Sequence, residues 1–259
     1  MYPELAGRTV VVTGGSRGIG AETGRAFHTL GARVCLVGRD RAALDHELAA
    51  LEASGGEAMT AVADVTVLGD LQAVRDAVEE RFGPVDVVVA FAGGGIARPG
   101  PTAAMTEQEW HSVVDGNLTS TFLTLKTFLP GMQERGSGSI VTMASTAGRV
   151  PSNPPGAGWG APVAYSAAKA GVIMLTRHVA SEVGRDGVRV NCVSPGAVRT
   201  GRTSAQMPPD VQEKVAALHP LPRMGEPADV ASATVFLASD AASWITGTTL
   251  DIAGGRVTT

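Results

Sequence analysis

The chain predicts an α/β protein built on a doubly wound parallel sheet. Three observations carry that expectation. Seven short β-branched runs alternate with stretches of helical periodicity, the pattern of βαβ units whose sheet is covered on both faces. Aromatic residues make up only 4% of the 259 positions, so the core must come from Ala, Val, Leu and Ile, as in buried parallel strands. A glycine-rich turn follows the first strand candidate at once.

In order, the strand candidates are Thr9–Thr13, Arg33–Val37, Ala58–Ala63, Val85–Phe91, Ser139–Ala144, Val188–Val193 and Thr248–Ile252. The clearest helical stretches between them are Leu68–Phe82 and Val163–Val183. No linker, composition break or internal repeat divides the chain, so residues 1–259 read as a single domain. Two stretches are irregular. Residues 151–162 (PSNPPGAGWGAP) are too rich in Pro and Gly for a helix or a central strand. Residues 196–225 hold only a short helical candidate, Val211–Leu218, and long loops in a compact domain often serve as substrate lids.

Composition excludes several functions. A hydrophobic fraction of 44% supplies a sizeable core, and a net charge of -4 argues against a nucleic-acid or anionic-membrane partner. The two cysteines suggest no disulfide framework, and no His/Cys cluster has metal-ligand spacing. The five histidines read as surface or packing residues. The first residues, MYPELAGR, do not read as a signal peptide, and no apolar run approaches a membrane span, so the cytoplasm is the expected location.

The first strand runs into Gly14-Gly15-Ser16-Arg17-Gly18-Ile19-Gly20 and then a helical stretch. Glycines there permit a tight turn and let the backbone approach a pyrophosphate, while the helix N-terminus adds N–H donors and a positive dipole. The second strand ends in Gly38-Arg39-Asp40. An acid at that strand end grips the free ribose 2′-hydroxyl of NAD, whereas arginine accommodates the 2′-phosphate of NADP. With Gly38 at the acid position and Arg39 and Arg17 nearby, NADP(H) is favoured and NAD(H) is the alternative. Asp40 reads as a cap for the helix starting at Arg41.

Further along, Ser145 follows the fifth strand candidate, and Lys169 stands four residues after Tyr165. Residues i and i+4 share a helix face. An ammonium beside a phenol favours the phenolate, which would make an otherwise poor proton shuttle usable near neutral pH. Apart from Tyr2, Tyr165 is the only tyrosine of the chain.

Over essentially its whole length the sequence resembles the short-chain dehydrogenase/reductase family, in its 3-oxoacyl reductase-like, carbonyl reductase branch. The matching elements are Thr13–Gly20 (TGGSRGIG), Asp64-Val65, Asn117, Ser145, Tyr165-Ser166-Ala167-Ala168-Lys169, Pro195-Gly196 and Thr200. The resemblance implies a Rossmann-type seven-stranded parallel sheet flanked by helices. It also implies a homotetramer assembled through long helices, one of them carrying Tyr165. Gly14, Gly18 and Gly20 would approach the pyrophosphate, with Ser16, Arg17 and Ile19 lining the phosphate pocket. Asp64 would contact the adenine, with Val65 beside it; a cap before Thr66 is the competing reading for Asp64. Asn117 would organise a water-mediated proton path, Ser145 would bond the substrate oxygen, and Tyr165 would be general acid or base. Lys169 would hold the nicotinamide ribose and depress the Tyr165 pKa. Pro195, Gly196, Val198 and Thr200 would meet the nicotinamide. Thr142 and Thr146 are rivals to Ser145, and Asn117 could be an ordinary helix residue.

Two departures from the family pattern stand out. Ala90-Phe91-Ala92-Gly93 replaces the usual Asn-Asn-Ala-Gly; Ala92 and Gly93 keep the close backbone approach to the cofactor, but both amides are gone. The expected cost is weaker cofactor binding or lower local stability. Ser145 and Tyr165 are also 20 positions apart, against about 13 in the family pattern. The excess falls in 151–162, an uncharged stretch containing Trp159 that could wall a substrate pocket and would suit an apolar substrate. Arg199 and Arg202 could form a basic patch at the mouth, although two loop arginines are usually just solvated. The activity these residues imply is hydride transfer between NADP(H) and a small-molecule ketone or secondary alcohol. A catalytically silent cofactor-binding protein is the least favoured alternative.

Overall fold

The computed structural model describes residues 2–94, 100–151 and 160–256. Its centre is a seven-stranded sheet in which every pairing is parallel. The strands are β1 (Thr9–Thr13), β2 (Arg33–Gly38), β3 (Ala58–Val62), β4 (Val87–Ala90), β5 (Gly138–Met143), β6 (Val188–Pro195) and β7 (Thr249–Ile252), in spatial order β3-β2-β1-β4-β5-β6-β7. Nine α-helices run among the described residues: α1 (Gly18–Thr29), α2 (Arg41–Ala53), α3 (Leu68–Phe82), α4 (Glu107–Val114), α5 (Ser120–Arg135), α6 (Val163–Val183), α7 (Gly201–Gln206), α8 (Pro209–Ala217) and α9 (Pro227–Ala238).

Period-two alternation sorts the strand residues onto two cores. Val10, Val12, Val34, Leu36, Val87 and Val89 belong to one cluster, while Val11, Cys35, Val37 and Val88 belong to the other. Both faces are therefore apolar, which is why the strands read as continuous Val-rich runs. The bounds of α3 and α6 are those the periodicity predicts. The Asp40 carboxylate accepts the Ala43 N–H at 3.0 Å and caps α2, as expected.

Two elements differ from expectation. Strand β4 stops at Ala90 rather than Phe91, because the Phe91 N–H turns back onto the Val89 carbonyl at 3.2 Å and leaves the ladder. Residues 196–225 are more ordered than their Gly and Pro content suggests, holding two helices, α7 and α8. Of the 151–162 stretch, residues 152–159, with Trp159, lie outside the described residues. Among the described residues no helix is long and apolar enough to cross a membrane.

The chain leaves β1 toward β2 and β3 on one side, then returns to lay β4 on the other. The crevice beyond the carboxyl ends of β1 and β4 is thus the topological switch point, where open α/β sheets bind ligands.

Candidate active site

At that switch point the loop from β1 to α1 is packed tight against the end of β4. Gly14 has φ of 70°, and a Cβ there would meet the Phe91 carbonyl oxygen at 2.9 Å and Ala92 Cα at 3.0 Å. A Cβ on Gly20 would fall 2.2 Å from the Gly14 carbonyl oxygen. Only glycine allows this loop to fold so close to the helix it feeds. Helix α1 has no side chain capping its first N–H groups. They are left for an anion, so the cradle fits a dinucleotide pyrophosphate. Gly18 lies against the Thr200 methyl, which brings the phosphate loop and the loop after β6 together.

At the β2 end, Arg17 is paired with Asp40, and Arg39 lies 3.9 Å from Asp64. Asp64 accepts the Thr66 N–H at 3.0 Å and hydroxyl at 2.7 Å, hydrogen bonds that hold its carboxyl below the usual range. It does not cap α3, which begins at Leu68; Asp70 in the first turn of that helix reaches back to the Asp64 N–H at 2.9 Å. Val65 packs against the second core cluster.

Ala90 and Phe91 prove to be core residues facing opposite cores of the sheet. Both are buried, so an amide at either position would have to find a partner inside the core. The tie between neighbouring strands comes from Thr13 instead, whose hydroxyl accepts the Ala92 N–H at 3.2 Å. The residue that makes this tie is the threonine that opens the TGG sequence.

Asn117 sits in a π-helical turn, Asp115–Thr119, between α4 and α5, and is fully buried. Its amide donates to the Val113 and Gly94 carbonyls at 2.8 and 3.0 Å and accepts the Gly94 N–H at 3.0 Å. A Cβ on Gly93, at φ of 144°, would come within 2.5 Å of the Asn117 Oδ1. The π-turn breaks the helix register and points this side chain at the end of β4.

Ser145 follows β5 and caps a short 3-10 turn, Thr146–Gly148, its Oγ accepting the Ala147 N–H at 3.2 Å. Tyr165, in the first turn of α6, hydrogen-bonds Ser145. Neither rival hydroxyl stands in this place: Thr142 bonds Thr176, and Thr146 is the first residue of the 3-10 turn. Lys169 is 2% exposed, and its Nζ donates to the Met143 carbonyl at 2.8 Å while standing 5.6 Å from the Tyr165 ring centroid. Burial in this apolar setting lowers the Lys169 pKa to about 8. The Tyr165 phenol is shifted upward by burial, opposed by the Ser145 hydrogen bond and by the charge of Arg202. Two cations therefore stand near the phenol, Arg202 through its charge and Lys169 beside the ring.

Beyond β6, Pro195 ends the strand and the Gly196 N–H bonds the Ile252 carbonyl at 2.9 Å. Val198 is buried and bridges to Gly225. Thr200 and Thr203 form a reciprocal cap that starts α7. Arg199 pairs with Glu226 at 3.4 Å, whereas Arg202 turns onto the end of β4 and donates to the Gly93 carbonyl at 3.3 Å.

A glycine cradle at a switch point, with a serine, a tyrosine and a lysine gathered beside it, defines a nicotinamide-dependent oxidoreductase. Comparison with known proteins agrees. Residues 14–256 match the family model described as enoyl-(acyl carrier protein) reductase. The chain is 39% identical to cis-4-hydroxycyclohexanecarboxylate dehydrogenase of Sinomonas cyclohexanicum, covering 98% of each protein. It is 37% identical to 3beta-hydroxysteroid dehydrogenase 1 of Eggerthella lenta, over 98% of this chain and 95% of that one. The crystal structure of gox2181 superposes with a TM-score of 0.92 at 34% identity, covering 98% of both chains. The chain belongs to the short-chain dehydrogenase/reductase family, oxidoreductases that act on alcohols and ketones with a nicotinamide cofactor.

Proposed function

We propose that the protein is an NADP(H)-dependent reductase of a small ketone, running also in reverse on the secondary alcohol, with Tyr165 as general acid and base. The observation that carries this reading is the Ser145–Tyr165 hydrogen bond with the buried Lys169 ammonium behind the ring. A single dinucleotide-binding and catalytic domain, a lid at 196–225, a homotetramer and a cytoplasmic location belong to the same proposal.

Gly14, Ser16, Arg17, Gly18, Ile19 and Gly20 would hold the pyrophosphate, and Asp64 and Val65 the adenine. Ala92, Gly93, Pro195, Gly196, Val198 and Thr200 would hold the nicotinamide end, with Lys169 on its ribose. The bound cofactor supplies or accepts the hydride. The chain's own residues handle the proton. Ser145 and Tyr165 share a hydrogen bond that a carbonyl oxygen can enter, taking one donor from each. Burial keeps the Tyr165 phenol protonated at neutral pH, the state an acid needs for reduction. Lys169 is the donor behind it, able to give up a proton near pH 8. The Asn117 carbonyl takes one hydrogen bond, from the Thr121 hydroxyl at 2.7 Å, and keeps a second lone pair for a water leading toward Lys169.

Support for NADP(H) lies at the end of β2. The position where NAD enzymes place their carboxylate holds Gly38, and a Cβ there would meet Ser16 at 3.2 Å, a tight contact that Ser16 would have to relieve by shifting. Arg17 and Arg39 flank it. One observation favours NAD(H) instead, since both arginines already face a carboxylate, Asp40 and Asp64. Ketone reduction rates with NADPH and NADH on one substrate panel decide between them. NADPH is expected to give a kcat/KM at least about tenfold higher; an NADH preference would reverse the assignment.

A further inference from the structure

Five arginines around the site are each paired with a carboxylate: Arg17 with Asp40, Arg39 with Asp64, Arg149 with Asp251, Arg199 with Glu226 and Arg223 with Asp229. Arg202 is the exception. It is exposed, and among the described residues no carboxylate pairs with it. Its guanidinium is nonetheless held in place rather than left to solvent. The Thr200–Thr203 cap anchors the first turn of α7, with the Thr203 hydroxyl bonded to the Val198 carbonyl at 2.9 Å. Nη1 donates to the Gly93 carbonyl at 3.3 Å, and a Cβ on Gly94 would lie only 1.9 Å from that nitrogen. Nη1 therefore meets the Gly93–Gly94 backbone end-on, with the rest of the guanidinium receding from it, and Asn117 holds the same segment through its two bonds to Gly94.

Its charge reaches the Tyr165 phenol. An arginine presents five N–H donors in a fixed planar fork, and one bond to a peptide carbonyl leaves most of them for a ligand. A carboxylate is the group that such a fork matches.

We infer that Arg202 is a specificity-determining residue that binds an anionic group of the substrate, so that the natural substrate is an oxo acid or hydroxy acid with its carboxylate held apart from the reacting carbon. This rests on the reading of the Ser145–Tyr165–Lys169 site as the place of ketone reduction. It also sharpens the expectation of an apolar substrate: the body is apolar and one end is charged. No atom of Arg202 takes part in the hydride or proton transfer. Its effect is on which molecule is seated.

The test uses the cofactor-loaded enzyme with acetoacetate, levulinate and 4-acetylbenzoate, each against its methyl ester, in wild type, Arg202→Gln and Arg202→Lys. The wild type should prefer at least one acid over its ester by about tenfold or more in kcat/KM, the size of a charge-assisted contact. Arg202→Gln should erase that preference through KM for the acid, any change it makes through the Tyr165 phenol falling equally on the kcat of acid and ester, and Arg202→Lys should restore part of the preference. An equal loss on acid and ester, a wild-type preference for every ester, or a rise in cofactor KM alone overturns the inference. Calorimetric binding of the same acids to the loaded protein separates it from the reductase reading. Acid binding lost in Arg202→Gln, with no ketone turned over by either protein, sustains the anion site and defeats the reductase reading; no acid binding to wild type defeats the anion site even if neutral ketones are reduced.

Discussion

The Lys169 ammonium donates to the carbonyl oxygen of Met143 at 2.8 Å. Met143 ends β5, and Ser145 follows two residues on, so the strand that delivers the serine also fixes the lysine. Gly148 completes the arrangement, since a Cβ there would strike the Lys169 carbonyl carbon at 2.6 Å. The 3-10 turn after Ser145 thereby lies directly on α6. Serine, tyrosine and lysine are placed by one contact between a strand end and a helix.

Burial of Lys169 sets the first expected outcome, a pH dependence of stability. Its pKa is about 8 in the folded protein against 10.5 ordinarily. Between those values the unfolded chain binds the extra proton, so this group's contribution to stability rises with pH across that window. Below it the cost of burying the charge is fully present. Lys169→Met has no such group. Comparing urea unfolding of wild type and variant from pH ~7 to ~10 should show wild type gaining on the order of 3 kcal/mol relative to the variant. Parallel profiles would show that the lysine is not shifted.

The same pKa should appear in turnover. The pH dependence of kcat/KM reports groups of the free enzyme. Ketone reduction is expected to hold steady through neutral pH and decline above about 8 as Lys169 loses its charge. In Lys169→Arg, whose charge persists, any remaining activity should show no inflection there. An unchanged inflection in that variant would assign the ionisation elsewhere.

Restoring the family's first amide should harm this protein. Ala90 is 2% exposed within the core cluster of Val11, Val37 and Val88. Ala90→Asn buries an amide with no reserved partner, and a loss of about 1–3 kcal/mol in urea unfolding follows. Phe91→Ala should cost more, roughly 3–5 kcal/mol, by emptying a packed ring site. A higher melting temperature for Ala90→Asn would mean that the missing amide was a defect.

Gly93→Ala should act on the site through Asn117. The added carbon falls 2.5 Å from Oδ1, so the amide must move and its two bonds to Gly94 must loosen. Overpacking of this kind costs about 1–3 kcal/mol. The melting temperature and the affinity for NADPH should fall together. Loss of neither would show that the segment yields freely.

Much of this was legible in the residues. Valine-rich runs broken by helical periods predict the seven strands to within two residues at each end, because burial on both faces leaves little choice of residue. Glycine spacing predicts the cradle, since close backbone approach excludes every other side chain. What the sequence hid depends on three-dimensional contacts. The tie between Thr13 and Ala92 crosses from β1 to the end of β4, and the core roles of Ala90 and Phe91 show only once each is assigned to a face of the sheet. Arg202 looked like any loop arginine; only the Thr200–Thr203 cap and the bare Gly93–Gly94 backbone turn it inward. Lys169 shares the Tyr165 helix face, as the i, i+4 spacing predicts, but the bond from its ammonium to the Met143 carbonyl depends on how β5 meets α6.

The most direct test of the account is turnover by Tyr165→Phe, which removes one hydroxyl and leaves the ring packed. With a ketone that the wild type reduces, kcat should fall by about 10²–10⁴-fold, the usual contribution of a positioned general acid, while melting temperature and NADPH affinity stay unchanged. Turnover within a few-fold of wild type, with the variant folded and loaded, would contradict the assignment of Tyr165 as the acid.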